Sequence, residues 1–457
     1  MTANERSMKD AIEINKDYGI FFTPNWVVDL MVGMIKEISG NNPFILEPAC
    51  GTAQFLEGIK RNALDLFAKS QKYAVEINEK MIKYLKDKEI AKDLHIIHAD
   101  YLLWETKVKF DLIIGNPPYG IPSLSEHYTI KVDDETKRKY KKMFKTWYGK
   151  YNMYGAFIEK SVKLLKDGGQ LLFIVPATFM ILDEFKKLRV FLAKSGKTHI
   201  IYMGSEVFKP IADVTTVILN FIKTKKQNKL LKLSEYKEKR EELVKELDNW
   251  SGEIITFETN FTKWLEKSCS YRLEDIYEVR ISPRTPEIKH NPFVFKGNSM
   301  KTGANIEENS LIPILNGRNL ECNKVIYEPK SGYWIGKEHA TELRRFFKEP
   351  HIVVGLGFRG KGRVAAAYDE KCYPWMGDVY HLLRKSTFFT HFNMKEEDVV
   401  DYLNSDYVSR YIKDAYKGIT YHLNITQLKR LPLPTKEEWE KMKRRGIRGG
   451  RKRERGE

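Results

Sequence analysis

Between about Phe44 and Phe221 the apolar residues gather in short runs, each followed by a turn of small residues or by apolar positions at helical spacing. Runs at Phe44-Ile45-Leu46, Lys72-Tyr73-Ala74-Val75, His95-Ile96-Ile97, Asp111-Leu112-Ile113-Ile114, Gln170 to Val175 and Val214 to Phe221 predict strands. The stretch Ala156 to Leu165 predicts a helix that stops at Asp167-Gly168-Gly169 as its C-cap. Strands alternating with helices imply an α/β, doubly wound parallel sheet, with ligands outside the carboxyl ends of its strands. From Lys223 to Trp250 the pattern gives way to dense charge (Lys225-Lys226-Gln227-Asn228-Lys229, then Lys237 to Glu242), which predicts a domain junction and domains at 1–245 and 246–440. The second is richer in Pro, Gly and aromatic residues, with β-like runs at His351 to Val354 and Arg363 to Tyr368, and reads as an irregular α+β domain. From Lys441 onward nine basic and two acidic residues, interspersed with glycines, predict a disordered tail at 441–457.

A chain of 457 residues exceeds one ordinary core, which agrees with two domains. No apolar run reaches transmembrane length. The start Met1-Thr2-Ala3-Asn4-Glu5-Arg6 lacks the apolar core of a secretion signal, so a cytoplasmic protein is expected. Cys50, Cys269, Cys322 and Cys372 are scattered without a CxxC pair, which predicts neither disulfides nor a metal site. The net charge of +17 favours a polyanionic partner through counter-ion release, or a lysine-rich surface kept for solubility.

The most informative residues are Asn116-Pro117-Pro118-Tyr119, directly after the apolar run Phe110 to Gly115. An amide side chain, a proline carbonyl and an aromatic ring at a strand end can grip an amino group with two acceptors while the ring stacks on its planar carrier. That suits methylation of an exocyclic or side-chain nitrogen, such as the amine of adenine or the amide of glutamine. Upstream, Ile45 to Leu56 is a strand, a turn of small residues and a helix, where the backbone can come close to a ligand. Glu76 ends the next strand and can accept from ribose hydroxyls. Asp100 ends the third and can accept from an adenine amine, with Tyr101 alongside. A nucleoside-bearing ligand satisfies all three positions. A dinucleotide fits less well, because only Gly51 and Gly58 fall here and no GxGxxG is formed.

With these residues in order, the chain resembles the γ-class N6-adenine DNA methyltransferases of restriction–modification systems, most closely the TaqI type. The resemblance implies a Rossmann-like methyltransferase domain using S-adenosyl-L-methionine, followed by an α+β target-recognition domain. Phe22-Thr23-Pro24 looks like the segment covering the methionine part of the cofactor. Thr23, Glu47, Ala49, Glu76, Asp100, Tyr101, Pro118 and Phe157 then line the cofactor pocket. Tyr101 stands where the family often carries Phe. Asn116, Pro117 and Tyr119 are the catalytic group, with Phe208 as the second ring packing on a flipped base and Lys209 beside it facing DNA.

Arg284-Thr285-Pro286, Pro313 to Leu320, Tyr373-Pro374-Trp375 and His422-Leu423 look like recognition-domain blocks of the same type. Arg284 matches a residue that reads DNA. Tyr421 stands where the family usually fills the gap opposite the flipped base with proline, and the loop Gly355 to Arg363 is slightly longer than the family's. The basic stretch Lys131 to Lys150, with eight basic and three acidic residues, is expected to be a DNA-facing loop. The resemblance further implies a duplex-DNA substrate containing TCGA, a monomer, and a cognate restriction endonuclease as a separate protein. Three other readings stay open: an enzyme of the same motif acting on a protein glutamine or structured RNA, a DNA-binding subunit with a vestigial cofactor fold, and a bifunctional restriction–methylation enzyme.

Overall fold

The computed structural model describes residues 22–38, 40–122, 130–224, 229–297, 310–343, 348–358, 362–377, 379–386 and 392–446. The N-terminal stretch read for a secretion signal, part of the charged run (225–228), the centre of the Gly/Arg/Lys loop (359–361) and the tail from 447 lie outside them. Backbone contacts divide the chain into two compact units, the first ending at Thr256 and the second beginning at Phe257.

The first unit is built on β1 (Phe44–Pro48), β2 (Gln71–Glu76), β3 (Leu94–His98), β4 (Phe110–Gly115), β5 (Leu165–Pro176), β6 (Gly196–Gly204), β7 (Thr216–Lys223), β8 (Leu231–Lys237) and β9 (Arg240–Leu247). They form one nine-stranded sheet in the order β3-β2-β1-β4-β5-β7-β6-β8-β9. The five strands from β3 to β5 are parallel. The sheet is mixed rather than wholly parallel, because β7 runs antiparallel between β5 and β6. A loop rather than a crossover helix joins β6 to β7, and so short a return permits only antiparallel pairing. Strand β6 was not among the expected runs, since its apolar core is short and flanked by Gly and Lys.

The charged stretch expected to be a junction is instead the edge hairpin β8–β9. Its turn residues Glu238 and Lys239 both have positive φ, 48° and 63°, as a two-residue hairpin turn requires. Nor do Asp167-Gly168-Gly169 cap a helix. They form an irregular start to β5, with Gly168 at φ 78° and a register shift opposite Phe110 and Leu112.

Helices α1 (Asn25–Gly33), α2 (Gln54–Asn62), α3 (Leu64–Lys69), α4 (Glu79–Lys86), α5 (Asp134–Met143), α6 (Met153–Leu164) and α7 (Lys186–Ser195) complete the unit. Leu112, Ile113 and Ile114 on β4 are fully buried, and each such side chain contributes roughly 1.5–3 kcal/mol of burial. Gly58 lets α1 approach α2 closely: a Cβ there would come within 2.4 Å of the Val28 side chain. Half of the basic stretch expected as a loop, ten of its twenty residues, is helix α5. Asp133 caps it by accepting from Glu135 N and Thr136 N at 3.0 and 2.9 Å, and a Glu135–Lys139 pair at 2.9 Å supports its exposed face.

In the second unit β10 (Tyr277–Ile281), β11 (His351–Gly355), β12 (Ala366–Asp369) and β13 (Val379–Arg384) form an antiparallel sheet in the order β10-β13-β11-β12. Polar pins fix the surrounding loops. Buried Asp369 accepts from Trp375 Nε1 at 2.8 Å, the Tyr327 hydroxyl at 2.8 Å and Cys372 N at 3.1 Å. Buried Asn319 donates to the carbonyls of Ile326 and Glu328. Helix α8 (Thr285–Lys289) follows β10, α9 (Asp406–Tyr416) follows the sheet, and α10 (Lys436–Arg445) closes the described chain. Helix α10 runs into the tail expected to be disordered from Lys441, because Trp439 and Met442, three residues apart, bury one face. Among the described residues no helix is long and apolar enough to cross a membrane, and no His/Cys/Asp/Glu cluster could hold a metal ion.

Candidate active site

Parallel register sets the site. Pro48 pairs with Val75, Glu76 with His98 and Leu46 with Ile113. The turns after β1, β2, β3 and β4 therefore open on the same edge of the sheet.

The turn after β1 is conformationally expensive. Ala49, Gly51 and Ala53 have φ of 53°, 52° and 61°, and the two alanines cost on the order of 1 kcal/mol each. Gly51 leaves the space at its missing Cβ empty to beyond 4 Å and donates its N–H to Glu76 Oε2 at 2.8 Å. Glu76, 2% exposed, also accepts from Ile77 N and Asn78 N at 2.9 and 2.8 Å. Burial raises its carboxyl pKa, and these backbone donors oppose the rise. Glu47 turns the other way. Its oxygens accept from Phe55 N and Leu56 N at 3.2 and 3.0 Å at the start of α2, and burial pushes its carboxyl up to about 8. The structure thus makes Glu47 a brace for the loop and α2.

After β3, Asp100 accepts from Leu102 N through Oδ1 at 2.8 Å and from the Tyr140 hydroxyl through Oδ2 at 2.5 Å. Tyr101 and Phe157 meet as rings at 4.9 Å, and the Tyr101 hydroxyl bonds Ser161 Oγ at 2.9 Å. The Lys160 ammonium lies 5.1 Å from the Tyr101 ring and donates to the carbonyls of Leu102 and Trp104, which fixes this turn from beneath. Its burial lowers the ammonium pKa to about 8.

After β4, Asn116 Nδ2 donates to Thr23 Oγ1 at 3.1 Å. Thr23 is buried and bonds both ways with Gln54 at the head of α2, its N–H to Oε1 and its carbonyl to Nε2, each at 3.2 Å. The segment before α1 is thereby tied to the Asn116 amide and to the β1 turn together. Tyr119 donates to the Ile174 carbonyl on β5 at 2.9 Å. Gly120 is fastened at both ends, its N–H to Asn152 Oδ1 and its carbonyl to Met153 N. Phe208 is 2% exposed and meets Tyr119 edge-on, with centroids 6.2 Å apart at 80°. It is a core ring here, not a second open face parallel to Tyr119. Exposed Lys209 pairs with Glu206 at 2.6 Å.

In the second unit Arg284 is exposed at the N-cap position of α8, where its side chain makes no capping bond. Tyr421 is 59% exposed, next to His422, which bridges to Gly357 of the Gly/Arg/Lys loop. Trp375 and Asn319, within the expected recognition blocks, are fully buried scaffold residues.

The structure therefore brings Thr23, Ala49, Glu76, Asp100, Tyr101, Asn116, Pro117, Pro118, Tyr119 and Phe157 to one edge of the first unit. Gln54, Tyr140, Asn152 and Lys160 join them, and none is among the site residues expected from sequence. Gln54 lay within the small-residue motif and Tyr140 within the basic stretch, but only their distant partners reveal their roles. Two carboxylates, open backbone at Gly51 and a ring pair suit a nucleoside, and Glu76 Oε2 keeps acceptor capacity beyond its single bond to Gly51.

Residues 46–208 match the Eco57I restriction-modification methylase family, and residues 312–433 match a TaqI-like C-terminal specificity domain. The type II methyltransferase M.TthHB8I of Thermus thermophilus is 40% identical over 430 residues, covering 92% of each chain. The type II methyltransferase M.AccI of Acinetobacter calcoaceticus is 29% identical over 300 residues, 64% of this chain and 49% of its own. Among solved structures, the type IIL restriction-modification enzyme MmeI in complex with DNA is alike in fold, with a TM-score of 0.53 at 11% identity over 93% of this chain and 65% of that one.

Proposed function

The chain belongs to the type II DNA methyltransferases of restriction–modification systems, and from that premise we propose that it methylates N6 of an adenine flipped out of duplex DNA. The first unit is a methyltransferase domain built on one mixed α/β sheet, a specificity domain follows it, and S-adenosylmethionine is the cofactor. The observation that carries the finer reading is Asn116-Pro117-Pro118-Tyr119 at the end of β4, with the Asn116 amide held by Thr23.

S-adenosylmethionine supplies an activated methyl group. The ribose hydroxyls fall to Glu76 and the adenine amine to Asp100, with Tyr101 and Phe157 against the ring. Thr23, Ala49 and Pro118 line the rest of the pocket. Glu47 acts indirectly, by holding the β1 turn.

An adenine inside the stack cannot reach this pocket, and extruding it costs a few kcal/mol, roughly. Tyr119 recovers part of that by stacking, and Phe208 backs the Tyr119 ring. The adenine amine is a weak nucleophile because its lone pair is delocalised into the ring. With Asn116 Nδ2 committed to Thr23, Oδ1 and the Pro117 carbonyl accept the two amine protons and draw the nitrogen towards tetrahedral geometry. One proton leaves after transfer, so no strong base is required beforehand. Positioning and electrostatics do the catalysis.

Arg284 and Tyr421 are assigned to DNA in the second unit, and Lys209 to DNA in the first. TCGA is the proposed target, and protection of host DNA from a separate cognate endonuclease the biological role. Tritium transfer from labelled S-adenosylmethionine to a panel of duplexes, followed by nucleoside analysis, tests the reading. Label in N6-methyladenine confined to TCGA duplexes is expected. Label in adenine elsewhere overturns the site, label on N4 of cytosine overturns the choice of base, and label on a ring carbon overturns the amine assignment.

A further inference from the structure

Helix α5 carries five basic residues, Lys137, Arg138, Lys139, Lys141 and Lys142, but its one fully enclosed side chain is aromatic. Tyr140 is buried, and its ring packs against Trp147 at 6.1 Å. Its hydroxyl donates to Asp100 Oδ2 at 2.5 Å, and the other Asp100 oxygen accepts from Leu102 N at 2.8 Å. Burial and the neighbouring Asp100 carboxylate both raise the phenol pKa, so the hydroxyl stays a donor at neutral pH. Asp100 is the acceptor assigned above to the adenine end of the cofactor. Among the described residues its hydrogen bonds are one local backbone bond and one from this side chain 40 residues away, with the Lys160 ammonium nearby in charge.

The far end of α5 is equally constrained. Glu159 on α6 accepts from Lys145 N, Thr146 N and Thr146 Oγ1 at 3.1, 2.9 and 2.6 Å, and Tyr151 bonds Thr146 at 2.7 Å. The helix is thus held to the cofactor edge at Tyr140 and to α6 just beyond its C-terminus. Arg138, Lys139, Lys141 and Lys142 are exposed, and Lys137 is half-buried.

We propose that Tyr140 is a cofactor-positioning residue: its hydroxyl orients the Asp100 carboxylate toward the adenine of S-adenosylmethionine and ties basic helix α5 to that end of the pocket. The inference rests on the assignment of Asp100 made above. Tyr140 touches no reacting atom, so its loss weakens cofactor binding and leaves the rate at saturating cofactor nearly unchanged. Because a charge-assisted bond to Asp100 is removed while the ring is kept, Tyr140→Phe is expected to raise the S-adenosylmethionine Kd roughly five- to ten-fold.

The experiment is a double-mutant cycle on the full chain. The Kd for S-adenosylmethionine is measured by calorimetry, and kcat and KM by methyl transfer to duplex DNA, for wild type, Tyr140→Phe, Asp100→Asn and the pair. The expected result is a rise in Kd and KM in Tyr140→Phe at near-constant kcat, which disappears when Asp100 is already Asn. An unchanged Kd in Tyr140→Phe overturns the proposal. So does an equal fold-loss in both backgrounds, which would mean that Tyr140 serves only to pack α5. A wild-type Kd indifferent to Asp100→Asn would instead overturn the assignment of Asp100 itself, and the single Tyr140→Phe measurement separates the two failures.

Discussion

The two units bury polar groups to different ends. In the first, buried carboxyl groups sit at or near the ends of parallel strands: Glu47 holds the head of α2, and Glu76 faces the Gly51 turn. In the second, Asp369 gathers Trp375, Tyr327 and Cys372, while His381 lies between Ser282 Oγ and His351 Nε2, each at 2.8 Å. One continuous sheet already fixes the frame of the first unit, so its polar burial shapes a pocket. The second has several small sheets and many loops, and its polar burial substitutes for the missing frame. Accordingly, most candidate residues of the first unit are enclosed or half-enclosed, whereas Arg284 and Tyr421 are exposed. A small-molecule site needs walls; residues that meet a large partner need only a rigid stem.

The largest effect separates chemistry from scaffold. Asn116→Ala is expected to lower kcat by about 10³-fold or more, roughly 4 kcal/mol, with cofactor Kd changed little. Single-turnover methylation beside calorimetry checks this, and retained turnover would sink the catalytic assignment. Asp369→Ala comes next. Three donors lose their acceptor in a dry interior, so the second unit should lose about 3 kcal/mol while the first still binds S-adenosylmethionine. Hydrogen exchange resolved by peptide would show loss confined to residues after Thr256, and loss spread over both units would erase the distinction. Arg284→Ala, at an exposed position, should leave both units folded and cost about 1–3 kcal/mol in DNA binding or discrimination. A change in melting temperature instead would recast it as a structural residue of the second unit.

The smallest effect concerns pH, where the units should trend in opposite directions. Glu47 has its pKa raised from 4.5 to about 8 by burial. Within that window the folded state keeps a proton that the unfolded chain has released, so the stability of the first unit falls as pH rises. Glu47→Gln should flatten that slope by on the order of 1–2 kcal/mol. His381 is pushed well below the usual 6.5 by burial, with His351 beside it lowered in the same direction. Below pH 6.5 the unfolded chain takes up protons that the folded unit refuses, so the second unit weakens as pH falls. Denaturant melts at pH 5, 6.5 and 8 with unit-resolved exchange test both signs; parallel trends would refute the contrast.

The sequence alone determined strands β1 to β5, the order of the motifs at their ends, and the helix α6 that carries Phe157. These are local properties: apolar period, small-residue turns and a proline-fixed loop act within a few residues. Tertiary structure decided the rest. Asn116 meets Thr23 across 93 residues, and Tyr140 meets Asp100 across 40. Glu47 became a helix brace and Phe208 a core ring because burial and backbone donors at α2, not residue type, set where each side chain points. The charged run became an edge hairpin because an outer strand needs no apolar face on its solvent side. Periodicity reports which face of an element is buried. Which distant side chain completes a hydrogen bond depends on the path of the chain, and only the folded sheet fixes that path.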